Sequence, residues 1–246
     1  MDFVTSKKGQ RFNIPGLWDR DRDRLSYDNG KTGFSCIPLL AGDREKEYSG
    51  SIPVVLREYM QNKGFNLCGT CSGDCPGCYA KKSTRNIAPA IKYILNTLEL
   101  KEDPERFVSL IEREMFGQAF PDRVYRLHDS GDFDSYTYYE CVMDMSYRHP
   151  ESILYSYTKE SSFVYRYGIT RIPETFTLSC SPWKDISLPI GDLPQFIYDD
   201  HTDPDIAKLP HCPAVSKDGK RTGITCKRCG HCALAKHGDR WAVYAH

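Results

Sequence analysis

Apolar residues recur at helical spacing in RNIAPAIKYILNTLEL, where Ile87, Ile91, Ile94, Leu95 and Leu98 form one stripe, and the spacing predicts a helix. The adjoining DPERFVSLIEREMF opens on Asp103 and Pro104, an N-cap residue and a first-turn proline, and predicts a second helix. Downstream, short runs rich in β-branched and aromatic residues predict strands: RVYRLHD (123–129), SILYSYT (152–158), TFTLSCS (175–181), QFIYD (195–199) and WAVYA (241–245). Between the first two, Ser135 caps a predicted helix with a Tyr138, Val142 and Met145 stripe; between the next two, ESSFVYRYG predicts a shorter one.

Strands that alternate with helices favour a mostly parallel sheet with crossover connections. Eight strands are not legible, so the expected fold is α/β, a partial or open (β/α) barrel with cysteine-rich metal-binding loops. The chain reads as a single domain over 1–246. Residues 1–60 read as an irregular N-terminal cap with room for one hairpin, residues 61–200 as a cluster-binding loop and βα core, and residues 201–246 as a C-terminal cysteine-rich metal-binding segment.

Charge narrows the partners. Lys+Arg and Asp+Glu number 33 each, so the net charge of zero gives no global attraction to nucleic acid or an anionic membrane. MDFVTSKKGQRFNIPG lacks an apolar signal region, and no segment approaches the roughly 20 apolar residues of a membrane span. Eleven cysteines, an odd number held largely in two tight clusters, favour metal ligation over a disulfide framework and a cytoplasmic, reducing setting.

Parallel α/β sheets build their sites beyond the carboxyl ends of the strands. Polar residues collect there: His128, Asp129, Ser130, Gly131 and Asp132 after the first strand, Thr158 and Lys159 after the second, Ser179, Cys180 and Ser181 after the third. Each is also an ordinary turn or cap residue.

The first cysteine cluster, CGTCSGDCPGC, holds Cys71, Cys75 and Cys78 as CxxxCxxC, with Cys68 a fourth thiol upstream. Thiolates are soft donors that suit an iron-sulfur cluster or zinc, and three of them leave one iron of a 4Fe-4S cluster open. The second cluster is Cys212 followed by the CxxCxxC run Cys226, Cys229 and Cys232, with His211, His231 and His237 as alternative nitrogen ligands. Zinc held for stability alone is the bland account of both clusters. Cys36, Cys141 and Cys180 stand apart and read as small core residues.

In order, CPGCYAKK, RLHDSGDF, YSYTKE, the closing CP...C..CG.C and WAVYAH resemble the phage gene-product-88 family, from about residue 68 to the C-terminus. That resemblance implies a phage or mobile-element source. More distantly, a CxxxCxxC loop ahead of βα units resembles the radical S-adenosylmethionine superfamily. The resemblance implies a 4Fe-4S cluster on Cys71, Cys75 and Cys78, S-adenosylmethionine bound to its open iron, and a cofactor contact at Ser130, Gly131 and Asp132, with Tyr79 and Ser179 near it. The sequence departs from the superfamily in having Gly77 where an aromatic usually precedes the third cysteine, and Cys68 as a competing fourth ligand.

The expected function is therefore a phage iron-sulfur protein, radical S-adenosylmethionine-like, with an auxiliary C-terminal metal centre, one or two 4Fe-4S clusters in all, and His128, Tyr157 and Lys159 contacting an unnamed substrate or the cofactor. The alternative is a non-enzymatic zinc or iron-sulfur protein that binds nucleic acid or a host factor through Lys81, Lys82, Arg85, Lys217, Lys220, Arg221, Lys227 and Arg228. A zinc hydrolase using HDSGD is a third possibility, but both clusters are richer in thiols than a catalytic zinc site with its open position.

Overall fold

The computed structural model describes residues 3–5, 8–13, 25–29, 34–48, 50–73, 78, 80–117, 124–182 and 190–244. Along the chain lie β1 (Phe3–Thr5), β2 (Arg11–Asn13), β3 (Tyr27–Asn29), β4 (Phe34–Pro38), α1 (Val54–Asn62), α2 (Ala80–Ser83), α3 (Ile87–Glu102) and α4 (Pro104–Phe116). Then follow β5 (Val124–Arg126), β6 (His128–Ser130), α5 (Tyr136–Arg148), β7 (Ile153–Thr158), α6 (Ser161–Tyr167), β8 (Phe176–Cys180), β9 (Gln195–Asp199), α7 (Cys226–Cys229) and β10 (Arg240–Tyr244).

The caps behave as their chemistry requires. The Asp103 carboxylate accepts from Arg106 N at 2.9 Å with Pro104 in the first turn of α4, and Ser135 Oγ accepts from Tyr138 N at 3.2 Å at the start of α5. Glu160 caps α6 by accepting from Ser162 N at 3.1 Å.

The run RVYRLHD is not one strand but two, β5 and β6, divided at Leu127, and that division joins the sheet. On one side Leu127 N donates to Tyr155 O and β5 pairs with β7; on the other Ile37 N donates to Leu127 O and β6 pairs with β4. From there β7, β8, β9 and β10 follow in order, every pairing from β4 onward parallel. The result is a mixed α/β fold whose parallel sheet curls into a half-barrel.

β4 corrects the expectation of an irregular cap. FSCIP supplies the first parallel strand, and β3 pairs antiparallel with its other edge. It was illegible because both its faces are covered: Cys36 and Ile37 are each fully buried on opposite sides, so five residues show no alternation. The helix α1 also falls inside the expected cap; Leu56 and Met60 anchor it while Val54 and Val55 stay exposed, which blurs its stripe.

One core lies between the sheet and α4, α5 and α6, built from Leu39, Phe107, Ile111, Leu127, Phe133, Tyr138, Leu154 and Leu178 among others. A second, with Leu40, Leu56, Ile91 and Ile94, packs α1 and α3 together. The α3 stripe is broader than predicted, because buried Asn96 donates to Leu25 O and Pro38 O, and Thr97 Oγ1 accepts from Leu40 N. Those bonds fix where the chain leaves β4, at the carboxyl mouth of the half-barrel. Between β9 and β10 no long helix lies among the described residues; the cysteine-rich C-terminal segment crosses there instead.

Candidate functional site

At the mouth, the first cysteine loop is stitched to the exit of β4. Thr70 N donates to Leu40 O, Cys71 N to Gly42 O and Arg44 N to Cys71 O, each at 2.9 Å, and Gly69 N donates to Asp43 O at 3.1 Å. Gly69 has to be glycine, since a Cβ there would meet Gly42 O at 2.5 Å. Thr70 Oγ1 then donates to Leu40 O and accepts from Asp132 N, both at 3.0 Å, which ties this loop to the turn after β6. Gly131 makes that turn with φ of +81°, and a Cβ on it would lie 2.5 Å from Thr70 Oγ1.

Asp132 is the hub of the mouth. Its buried carboxylate accepts from Thr158 Oγ1 at 2.7 Å, and from Phe133 N and Lys159 N at 2.8 Å. Burial raises its pKa against the pull of those donors. Beside it stands Cys71, a half-buried thiol that burial and the Asp132 charge push up, while Lys159 and the Gly42 contact oppose the rise. Lys159 Nζ donates to Ser181 Oγ at 3.4 Å. Arg44 closes one side, paired with Glu160 at 2.9 Å and donating to Phe133 O and Asp134 O at 3.4 Å. Thr158 was among the polar strand-end residues read from sequence, whereas Thr70, Arg44 and Glu160 were not singled out there; only the fold brings them to Asp132 and its neighbours.

The two thiols at the start of the first cluster have different surroundings. Cys68 is buried and donates to Asn66 Oδ1 at 3.3 Å, whereas Cys71 is influenced by Asp132, Lys159 and Cys78. Cys75 and Tyr79 lie outside the described residues.

Other sequence candidates divide by strand parity. His128 points to the helix-covered side: its ring nitrogens are hydrogen-bonded to Tyr138 OH at 2.8 Å and Ser156 Oγ at 3.1 Å, and it packs on Phe133. Burial, with Arg126 nearby, lowers its pKa to about 3, so the imidazole is neutral. Ser130 Oγ donates to Leu39 O at 2.7 Å, a strand-to-strand tie. Tyr157 and Ser179 occupy the opposite, inner face, facing each other in register across β7 and β8, and the buried Ser179 hydroxyl has no hydrogen-bond partner among the described residues.

That inner face carries the second cluster. Cys226 and Cys232 pack with Tyr157, Val124 and Ile153 against buried Cys36, Tyr155 and Ala233, and Thr177 Oγ1 donates to Ala233 O at 2.8 Å. Cys212 is pinned by its N–H to Ala242 O at 2.7 Å. The four thiols lie within electrostatic reach of each other: Cys226 raises the pKa of both Cys212 and Cys232, and Cys229 raises those of Cys212 and Cys226. Burial is the larger cause in each, taking Cys232 up to about 12. Among the described residues no three His, Cys, Asp or Glu side chains stand at ligating separation. His211 is already committed, with Nε2 on Asp199 Oδ2 and Nδ1 on Leu209 O, both at 2.8 Å, and its ring stacked on Tyr244. His231 packs edge-on against Trp241.

The profile of gene product 88, a phage gene-product family, matches residues 37–235. The chain belongs to the gene product 88 family. No curated protein and no solved structure matches it. The gene product 88 match opens inside β4, well before the motifs from residue 68 onward, and closes after the turn that carries Cys232. Both cysteine clusters and the Asp132 hub therefore lie within the gene product 88 region, while β1, β2, β3 and β10 lie outside it. No helix among the described residues is long and apolar enough to cross a membrane.

Proposed function

We propose that this gene product 88 protein is a phage-encoded iron-sulfur protein working in the host cytoplasm on a radical S-adenosylmethionine-like half-barrel. In this reading Cys71, Cys75 and Cys78 hold a 4Fe-4S cluster at the mouth, and Cys212, Cys226, Cys229 and Cys232 hold an auxiliary centre on the inner face. The observation that carries the reading is the placement of Cys71. It sits at the carboxyl exit of the first parallel strand, directly against the Gly131–Asp132 turn, where the resemblance puts the cluster and its cofactor contact. The separate setting of Cys68 favours three ligands over four at the mouth. Thiol donors are the right chemistry for iron-sulfur or zinc.

A cluster with an open iron supplies a coordination site and an electron for S-adenosylmethionine. The chain's own residues do the rest. Asp132 and the Lys159 ammonium offer a carboxylate and a cation for the amino and carboxylate groups of such a cofactor, and Thr70 and Thr158 hold Asp132 in place. Tyr157 and Ser179, one layer deeper, line the inner face on which a substrate would be shielded from water.

The test is protein purified without oxygen, assayed for iron, zinc and acid-labile sulfide, with spectra of the reduced sample before and after adding S-adenosylmethionine. Iron with matching sulfide and a cofactor-dependent spectral change, lost in Cys71→Ser, is expected. Zinc without sulfide overturns the iron reading. A second reading, a metal-stabilised nucleic-acid-binding protein, is favoured by the exposure of Lys217, Lys220, Arg221, Lys227 and Arg228 around the second cluster. It predicts RNA or DNA binding that weakens steeply with salt.

A further inference from the structure

The C-terminal segment seats on the inner face at Thr177, whose Oγ1 donates to Ala233 O at 2.8 Å. Nearer the mouth, Tyr157, Lys159, Ser181 and Phe196 are only half-buried. Because β8 runs between β7 and β9, Tyr157 and Phe196 stand two strand spacings apart, about 9–10 Å at the backbone. Their ring centres are nevertheless 4.9 Å apart, tilted by 39°. The two rings therefore lean together over β8, where the inward side chains are the small Ser179 and Ser181. Ser179 is 1 % exposed and its hydroxyl has no hydrogen-bond partner among the described residues, an arrangement that is costly and uncommon. Ser181 Oγ accepts from Lys159 Nζ at 3.4 Å, which leaves its own proton to donate. Arg126, in register with Tyr155 of β7, holds its guanidinium 5.3 Å from the centre of the Tyr157 ring.

We propose that this end of the inner face binds a nucleobase: an uncharged heteroaromatic ring stacks on Tyr157 and Phe196, and acceptors on its edge take hydrogen bonds from Ser179 and Ser181. The inference gives a substrate class to the wall already read as shielding a substrate; it rests on that part of the reading and on none of its metal chemistry. The paired aromatic rings suit a flat π system, and a hydroxyl closed beneath them suits the acceptor that such a ring presents at its edge. Both rings are half-buried, so rotating either one uncovers Ser179. Arg126 and Lys159 disfavour a cationic ring and favour the phosphate that accompanies a base.

The test is isothermal titration of the full chain with the common nucleoside 5′-monophosphates, with a single strand of about 12 nucleotides, and with ribose 5-phosphate as the ringless control. At least one mononucleotide is expected to bind, about tenfold weaker in Phe196→Leu and about three- to tenfold weaker in Ser179→Ala. Ser179→Ala should keep the wild-type urea midpoint, since the hydroxyl it removes makes no protein hydrogen bond, so binding lost there is not folding lost. A strand that binds where mononucleotides do not, with the same losses in both variants, assigns the base to nucleic acid and supports the site. Ribose 5-phosphate binding as tightly as the nucleotides, Ser179→Ala binding like wild type, or no probe binding at all overturns the inference. So does displacement of the nucleotide by S-adenosylmethionine, because the wall would then be the cofactor's own. Metal analysis separates this inference from the cluster reading. Nucleotide binding without iron leaves the base site standing and sinks only the cluster, whereas iron and sulfide without nucleotide binding do the reverse.

Discussion

The two faces of β7 are built from neighbouring residues and do opposite things. Leu154 and Ser156 turn to the helices, where Leu154 is sealed in the main core and Ser156 reaches His128, while Thr158 at the strand end reaches Asp132. Tyr155, Tyr157 and Lys159 turn inward, to the C-terminal thiols and the mouth. A helix covers one face through regular packing, whereas a loop-rich segment with short helices covers the other, and polar groups accumulate on that second face. Adjacent strand residues have nothing in common except the chain, so a functional assignment by proximity in sequence fails at single-residue resolution.

The sharpest break of this comparison is truncation. Leu154→Ala should cost about 2–5 kcal/mol in urea unfolding, because a helix-packed site cannot collapse around the void. Tyr157→Phe should cost under about 1.5 kcal/mol, losing only a hydroxyl contact. Equal costs would erase the distinction between faces.

Acid probes the helix side next. The folded pKa of His128, about 3, lies below the usual 6.5, so between those values the unfolded chain binds a proton that the native state does not. Stability therefore falls as pH drops from 6.5 towards 3, by up to about 1.4 kcal/mol per pH unit from this group. Unfolding of His128→Gln measured between pH 7 and 4 should show a shallower decline. Smaller again, Thr158→Val leaves a buried Asp132 oxygen short of a donor and should cost about 1–3 kcal/mol by chemical denaturation. Last, Asp103→Ala removes only a cap on the outer layer and should cost about 1 kcal/mol in thermal unfolding. A mouth substitution that proved cheaper than this cap would show that the Asp132 network is loosely held.

Much of the fold was legible. The stripes and caps at Asp103 and Ser135 located α4 and α5, and four strand runs landed on β7, β8, β9 and β10, because local propensity and periodicity agree there with the final packing. β4 was missed for lack of alternation, and α1 because its exposed Val54 and Val55 spoil the pattern. At the candidate site, the polar strand ends identified Asp132 and Lys159. They also nominated His128, whose side chain goes to the core, and no local signal pointed to Thr70, Arg44 or Arg126.

The sequence by itself determined the order of the main helices and strands from α3 onward, the parallel α/β class, the two thiol clusters and the likeness to gene product 88, since these depend on residue type, spacing and order. Only the tertiary structure decided which face each strand residue serves, that Cys68 and Cys71 have different surroundings, and that Arg126 and the C-terminal thiols share one wall. The reason is that strand parity, the split at Leu127 and the curl of the sheet are set by long-range pairing between segments up to a hundred residues apart, as when Ile37 bonds to Leu127.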